Sequence, residues 1–274
     1  MMKYLKILHI SLTERLAYRA DFFLTTFFRF LPLVTTFLLW EAIYAGAPKA
    51  DDGAETTIVG FTRDKMIAYL LLVQISRMFS SMPGLATGIA HDIRDGNLKK
   101  YLLQPIDMLW YLLSYRGAHK IAYIATTALP YGILFFLFRD VFDLPGPWTW
   151  LAYFLSLILA FLIGFFFEAC IGIAGFWLLE VTSFMYIVNI FTFFVSGQLF
   201  PLELLGEYPY LTAALEVLPF QYLAYFPAMV FLEKRQGTEL IVGLLIEFAW
   251  AIGLLVFCRW LYHVGLRHYS AYGG

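Results

Sequence analysis

The side chains able to do chemistry in this chain are few, and their spacing argues against most of it. Asp92 and Asp95 sit beside Gly96 in the run His91-Asp92-Ile93-Arg94-Asp95-Gly96-Asn97-Leu98-Lys99-Lys100. Two acids near a glycine can hold a divalent cation for phosphoryl transfer, but Asp95-Gly96-Asn97-Leu98-Lys99 departs from the pattern that metal-dependent lipid phosphotransferases carry. His91, His119, His263 and His268 form no His-Glu-x-x-His spacing, so they point to no zinc centre. Ser196-Gly197 has no histidine-bearing motif close by to activate a serine nucleophile. The chain contains no Gly-x-x-x-x-Gly-Lys-Ser/Thr loop and no Gly-x-Gly-x-x-Gly after a strand-like run, so no nucleotide site is expected within it. Three charges do stand out, because Arg77, Glu168 and Glu247 fall inside apolar runs. An ionisable group at membrane depth is costly, and each is a candidate either for a proton or cation relay or for an interhelical pair, with Arg77 a partner for either carboxylate.

The elements that must position these residues follow from composition. A chain of 274 residues that is 61% hydrophobic, 19% aromatic and only 14% charged has too much apolar surface for one water-soluble core, so its solvent is lipid. The formal charge of −1 says little, since in a membrane protein the side on which each Lys and Arg lies matters more. Cys170 and Cys258 lie in apolar segments and read as small buried hydrophobes rather than as a disulfide or metal ligands.

Periodicity then divides the chain into an all-α, polytopic membrane domain over residues 1–274. Leu5, Leu8, Leu12 and Leu16 recur at helical spacing among charges, which predicts an amphipathic interfacial helix over residues 1–20 and no cleavable signal. A span needs about twenty apolar residues at about 1.5 Å each to cross a core of about 30 Å. Six runs are read as spans: Phe22 to Tyr44, Met66 to Ala90, Asp107 to Phe138, Trp148 to Leu179, a fifth from the polar break at Glu180, Thr182 and Ser183 to Val195, and Glu239 to Tyr262. Met82-Pro83-Gly84 should kink the second, while Gly164, Gly172 and Gly175 should admit a close neighbour to the fourth. Residues 46–64 read as an outside loop. Residues 197–237, interrupted by Pro201, Pro209, Pro219 and Pro227, hold runs too short to cross and read as external re-entrant helices. With Arg29 and Arg77 set aside, eleven Lys and Arg residues share the side of residues 91–107 and of both ends, against six on the other. That bias puts both termini in the cytoplasm.

The polar stretch 91–107 is read as a coupling helix. A helix from Asp92 to Leu103 would gather Ile93, Leu98, Leu102 and Leu103 toward one side, leaving Asp92, Arg94, Asp95, Lys99 and Lys100 polar, with Gly96 interrupting it and Pro105 ending it. Such an amphipathic helix could enter a groove on a soluble protein, and periodicity alone leaves a merely solvated loop equally open.

The pattern Asp92-Ile93-Arg94-Asp95-Gly96-Asn97-Leu98 leading to Tyr101-Leu102-Leu103-Gln104-Pro105-Ile106 resembles the D-I-R-x-G-x-L…L-L-x-P-I segment of ABC type-2 permeases. Ser196-Gly197, Phe200-Pro201-Leu202, Leu218-Pro219-Phe220 and Tyr225-Phe226-Pro227 resemble that family's outer re-entrant region, and the ending from Gly265 to Gly274 is similar to the tail of one branch. The resemblance implies the membrane subunit of an exporter in the inner (plasma) membrane, paired with a second permease, identical or paralogous. It implies no cofactor in this chain, with ATP and Mg bound by separate ATP-binding subunits. It assigns docking to Asp92, Ile93, Arg94, Asp95, Gly96, Leu98, Lys99, Lys100, Leu102, Leu103 and Pro105. A path lined by spans two and five would include Phe184, Tyr186, Asn189, Phe193 and Gln198, whose aromatic character suits an amphipathic or lipid-linked cargo better than a small ion. An ion-coupled carrier and a lipid-modifying membrane enzyme are the competing classes; the first would want more intramembrane charge, and the second a clearer catalytic constellation.

Overall fold

Where no water reaches the backbone, a chain must satisfy its own N–H and C=O groups, and this one does so with helices. The computed structural model describes residues 6–11, 13, 19–47, 56–58, 60–178 and 180–269. Residues 6–11 and 13 are helical, while the rest of the expected interfacial helix before residue 19, residues 48–55 and 59 of the outside loop, and the tail beyond residue 269 lie outside the described residues. In chain order the helices are α1 (Arg19–Gly46), α2 (Arg63–Ser80), α3 (Leu85–Arg94), α4 (Lys99–Leu102), α5 (Met108–Leu137), α6 (Pro147–Ile173), α7 (Thr182–Val195), α8 (Pro209–Val217), α9 (Tyr225–Phe231) and α10 (Gly237–Leu266). A two-stranded hairpin, β1 (Thr57–Ile58) with β2 (Phe61–Thr62), precedes α2. Among the described residues, four stretches are long and apolar enough to cross a membrane: Arg63–Arg94, Met108–Leu137, Pro147–Phe176 and Gly237–Leu266. Two apolar stretches, Leu31–Gly46 and Thr182–Val195, are shorter.

The chain forms two compact units, Met1–Thr35 with Asn97–Asp140, and Thr36–Gly96 with Val141–Gly274. In the first, α5 begins where expected, because the Asp107 carboxylate accepts the Trp110 N–H at 3.0 Å and caps the helix. Pro130 lies inside α5 without ending it. Tyr115, Arg116, His119 and Lys120, which give the first part of α5 its polar side chains, are half-buried or buried.

In the second unit α6 is the hub, with 67% of its most apolar window buried against 22% for α10. Its glycines explain how the α2–α3 strand of the bundle lies so close. A Cβ at Gly164 would collide with the Ser80 carbonyl, and one at Gly172 would sit 2.8 Å from the Ala86 carbonyl oxygen. The expected kink at Met82-Pro83-Gly84 is a full break: α2 stops at Ser80, and α3 restarts after Gly84, whose φ of 75° is left-handed. Glu168 of α6 repairs it, accepting the Met82 N–H at 3.1 Å.

Segment 197–223 carries main-chain oxygens that short helices cannot satisfy, and donors from the long helices meet them. Tyr69 donates to the Gly197 carbonyl, Trp40 Nε1 to Leu199 at 3.0 Å, Ser80 Oγ to Leu223 at 2.7 Å and Trp250 Nε1 to Val217 at 3.0 Å. The 3-10 turns and short helices of this region match the expectation of runs too short to cross.

Candidate functional site

Chemistry-bearing residues concentrate where α3, the turn after α6, the start of α7 and the end of α10 meet. Those four elements line a cleft of about 510 Å³ in the second unit. Its floor is small, with Gly84, Gly88 and Gly175, and its rim is polar, with His91, Arg94, Glu180 and His268. His91 Nε2 lies 3.0 Å from Asp95 Oδ2, one helical turn on, and Arg94 Nε lies 3.5 Å from Asp95 Oδ1. Glu180 anchors the first turn of α7, its Oε1 accepting the Thr182 N–H at 2.6 Å. The Thr182 hydroxyl and then that N–H hold the Glu180 carboxyl below its ordinary value, and the Arg94 charge adds to the effect. The Trp177 ring stacks edgewise on His268, with centroids 5.7 Å apart, fixing the end of α10 against the turn after α6.

Over the expected coupling helix the structure has two short helices on either side of Gly96, the residue expected to interrupt it. A continuous helix over 92–103 does not form. Helix α3 ends at Arg94, Gly96 adopts φ 70°, and only the four-residue α4 follows before the turn at Gln104 and Pro105. A left-handed glycine reverses the chain, so the apolar positions cannot keep one helical phase. Ile93 and Leu98 are buried, as is Tyr101, whereas Leu102 and Leu103 are 48% and 83% exposed. Asp92 is half-buried, and Arg94, Asp95, Lys99, Lys100 and Pro105 are exposed. Lys100 Nζ rests 4.8 Å from the centre of the Tyr101 ring.

Helix α7 carries the aromatic candidates. It buries one stripe, Val181, Met185 and Thr192 with Val188 partly covered, and the first two join Ala86 of α3 and Ile171 of α6 in one cluster. Phe184, Tyr186 and Asn189 are exposed on its other sides, and Phe193 is half-buried. Gln198 is drawn back into the following turn, where its Nε2 donates to Ser196 Oγ at 2.8 Å.

The intramembrane charges separate into two places. Arg77 donates to Ser80 Oγ at 3.3 Å beside the helix break, and Glu168 is the carboxylate whose charge it feels. Glu247 is fully buried and accepts the Ser156 hydroxyl at 3.2 Å, tying α10 to α6. Cys170 and Cys258 are buried free thiols. Among the described residues, no group of three or more His, Cys, Asp or Glu side chains is placed to hold a metal ion.

A family model described as ABC-2 family transporter protein matches residues 30–273, nearly the full length of the chain. The chain belongs to the ABC-2 transporter family. No curated protein and no solved structure matches it. Membership makes this ABC-2 chain a multi-pass membrane protein with a permease role, a transport subunit rather than a catalyst, of a kind that associates with ABC ATP-binding subunits. Sequence reasoning had found the charged stretch and the aromatic span. It missed the cleft, because His91, Glu180 and His268 are far apart in sequence and meet only through the packing of three helix ends; the one available signal was a titratable residue near each of those ends.

Proposed function

We propose that this ABC-2 permease is one of two membrane subunits, identical or paralogous, of an exporter driven by ATP and Mg held in two separate ATP-binding subunits. Helix α1, the broken pair α2–α3, and α5, α6, α7 and α10 make six crossings of the inner (plasma) membrane with both ends in the cytoplasm, and residues 197–237 form an external re-entrant region. The 14 residues of α7 span only about 21 Å at about 1.5 Å each, so the turns at its two ends complete that crossing. Residues Asp92 to Pro105 dock the ATP-binding subunit. On ATP binding, closure of those subunits pushes this segment, α3 carries the displacement along α6, and α7 moves with the cluster it shares with α3. Cargo passes along α7, with Tyr186, Asn189 and Phe193 on one face, Phe184 on the opposite one, and Gln198 at its outer end. An aromatic face of that kind suits an amphipathic or lipid-linked molecule.

The observation that carries this reading is the exposure of Leu102 and Leu103 beside Lys99 and Lys100 in an otherwise ordered loop of a family that works with ATP-binding subunits. Two neighbouring leucines in water with a basic rim suit a partner's apolar groove. Purification of the chain with its co-expressed ATP-binding subunit tests it. Leu103→Asp should leave the permease in the membrane and reduce the co-purified subunit about tenfold or more, the effect of losing one buried anchor. Undiminished co-purification would contradict the docking assignment. An ion-driven carrier or a lipid-modifying enzyme would bring no ATPase with it at all.

A further inference from the structure

The cleft beside α3 has no role in the reading above. It runs along α3 from Gly84, just before the helix, to Arg94 at its close, with the ends of α6 and α10 and the opening of α7 as its other walls. Gly88 faces open space there: a Cβ on it would meet no atom within 4 Å. A slot of about 510 Å³ with a small-residue floor and a polar rim has room for one or two large side chains. His91, Ile93 and Arg94 line it and run without interruption into Asp95 and Gly96 of the docking segment. A subunit that reaches Asp95 and Gly96 therefore meets the edge of the cleft.

We propose that the cleft receives a bulky side chain of the ATP-binding subunit, a second grip that shares Ile93 and Arg94 with the docking segment and otherwise lies outside it. This rests on the docking reading and deepens it, since it assigns partner contact to Glu180, Thr182 and His268, which belong to the turn after α6, the first turn of α7 and the end of α10. The rim orients the incoming group, with Arg94 and Glu180 offering one charge of each sign. The consequence is mechanical. Directly beyond the slot, Ala86 of α3, Ile171 of α6 and Val181 and Met185 of α7 form one cluster. A side chain wedged between α3 and the start of α7 bears on that cluster, so α7 is moved directly by the partner and not only through α3.

Gly88→Trp tests the proposal, because a Cβ there meets no atom within 4 Å and a large ring built on it would compete for the slot. The variant should reach the membrane and melt in detergent like the unaltered chain, yet lose about tenfold or more of the ATP-binding subunit that co-purifies with the unaltered chain. Gly88→Ala should keep it. Should the tryptophan disturb folding, a photoreactive benzoyl-phenylalanine at Leu178, an exposed lining residue, supplies a second measurement: ultraviolet light should yield an adduct with the ATP-binding subunit. Full co-purification by Gly88→Trp, or an adduct with lipid or cargo in place of the subunit, would overturn the inference. Full co-purification by Gly88→Trp alone removes the cleft; full co-purification by Leu103→Asp as well removes the docking reading beneath it.

Discussion

Ser156 and Glu247 make a contact whose strength depends on its setting. The carboxylate is fully buried, one oxygen accepts the serine hydroxyl at 3.2 Å, and among the described residues the other oxygen, Oε2, takes no hydrogen bond. Ser156→Ala would strip the only donor from a buried acceptor and should lower stability by about 1–3 kcal/mol, read as a lower melting temperature in detergent. Glu247→Gln keeps an oxygen for the serine and should cost far less. Arg77 and Glu168 answer a different need, since Glu168 supplies the acceptor that the broken helix requires at Met82 and sets its charge near the guanidinium. Arg77, Glu168 and Glu247 were conspicuous in the sequence as charges in apolar runs. Their roles were not, because Ser156 and Glu247 are 91 positions apart and Met82 and Glu168 are 86 apart, and periodicity carries no information over that range.

Among elements, α6 is the one whose packing could be read from its letters. Gly164, Gly172 and Gly175 were expected to admit a neighbour, and the backbone of α2 and α3 occupies the space they leave. Gly164→Leu must displace the Ser80 carbonyl at the end of α2, so it should destabilise by about 1–3 kcal/mol or prevent folding. The yield of monodisperse protein after detergent extraction would register this, with Gly253→Leu on α10, where a Cβ meets nothing within 4 Å, as the comparison. Helix interruptions were harder to read. Pro32 lies within α1 and Pro130 within α5 and both helices continue, yet the helix fails around Pro83. The difference lies in the left-handed Gly84 and in the acceptor that Glu168 provides from another helix, neither of which proline content reveals. Over residues 92–103 the interruption expected at Gly96 is a left-handed turn that sets Ile93 on one short helix and Leu102 on the next.

For the molecule as a whole, the informative surface is that of α7. A helix that buries one stripe and exposes Phe184, Tyr186, Ile187, Ile190 and Phe191 leaves more apolar area uncovered than its own fold explains. Under the two-permease reading this face looks toward the second membrane subunit across the path. A photoreactive residue at Ile187 should therefore form an adduct with another permease chain in native membranes, whereas one at Leu245 on α10 should react mainly with lipid. Equal reaction with lipid at both positions would count against the path assignment. The outer end obeys another logic. Tyr69, Trp40, Trp250 and Ser80 hold the oxygens of Gly197, Leu199, Val217 and Leu223, which belong to the main chain and are present whatever residue stands there. The identity of those four held residues can drift over evolutionary time while the course of the segment stays the same. Side-chain changes at those four positions should therefore leave the course of the segment intact, provided the two tryptophans, the tyrosine and the serine are kept.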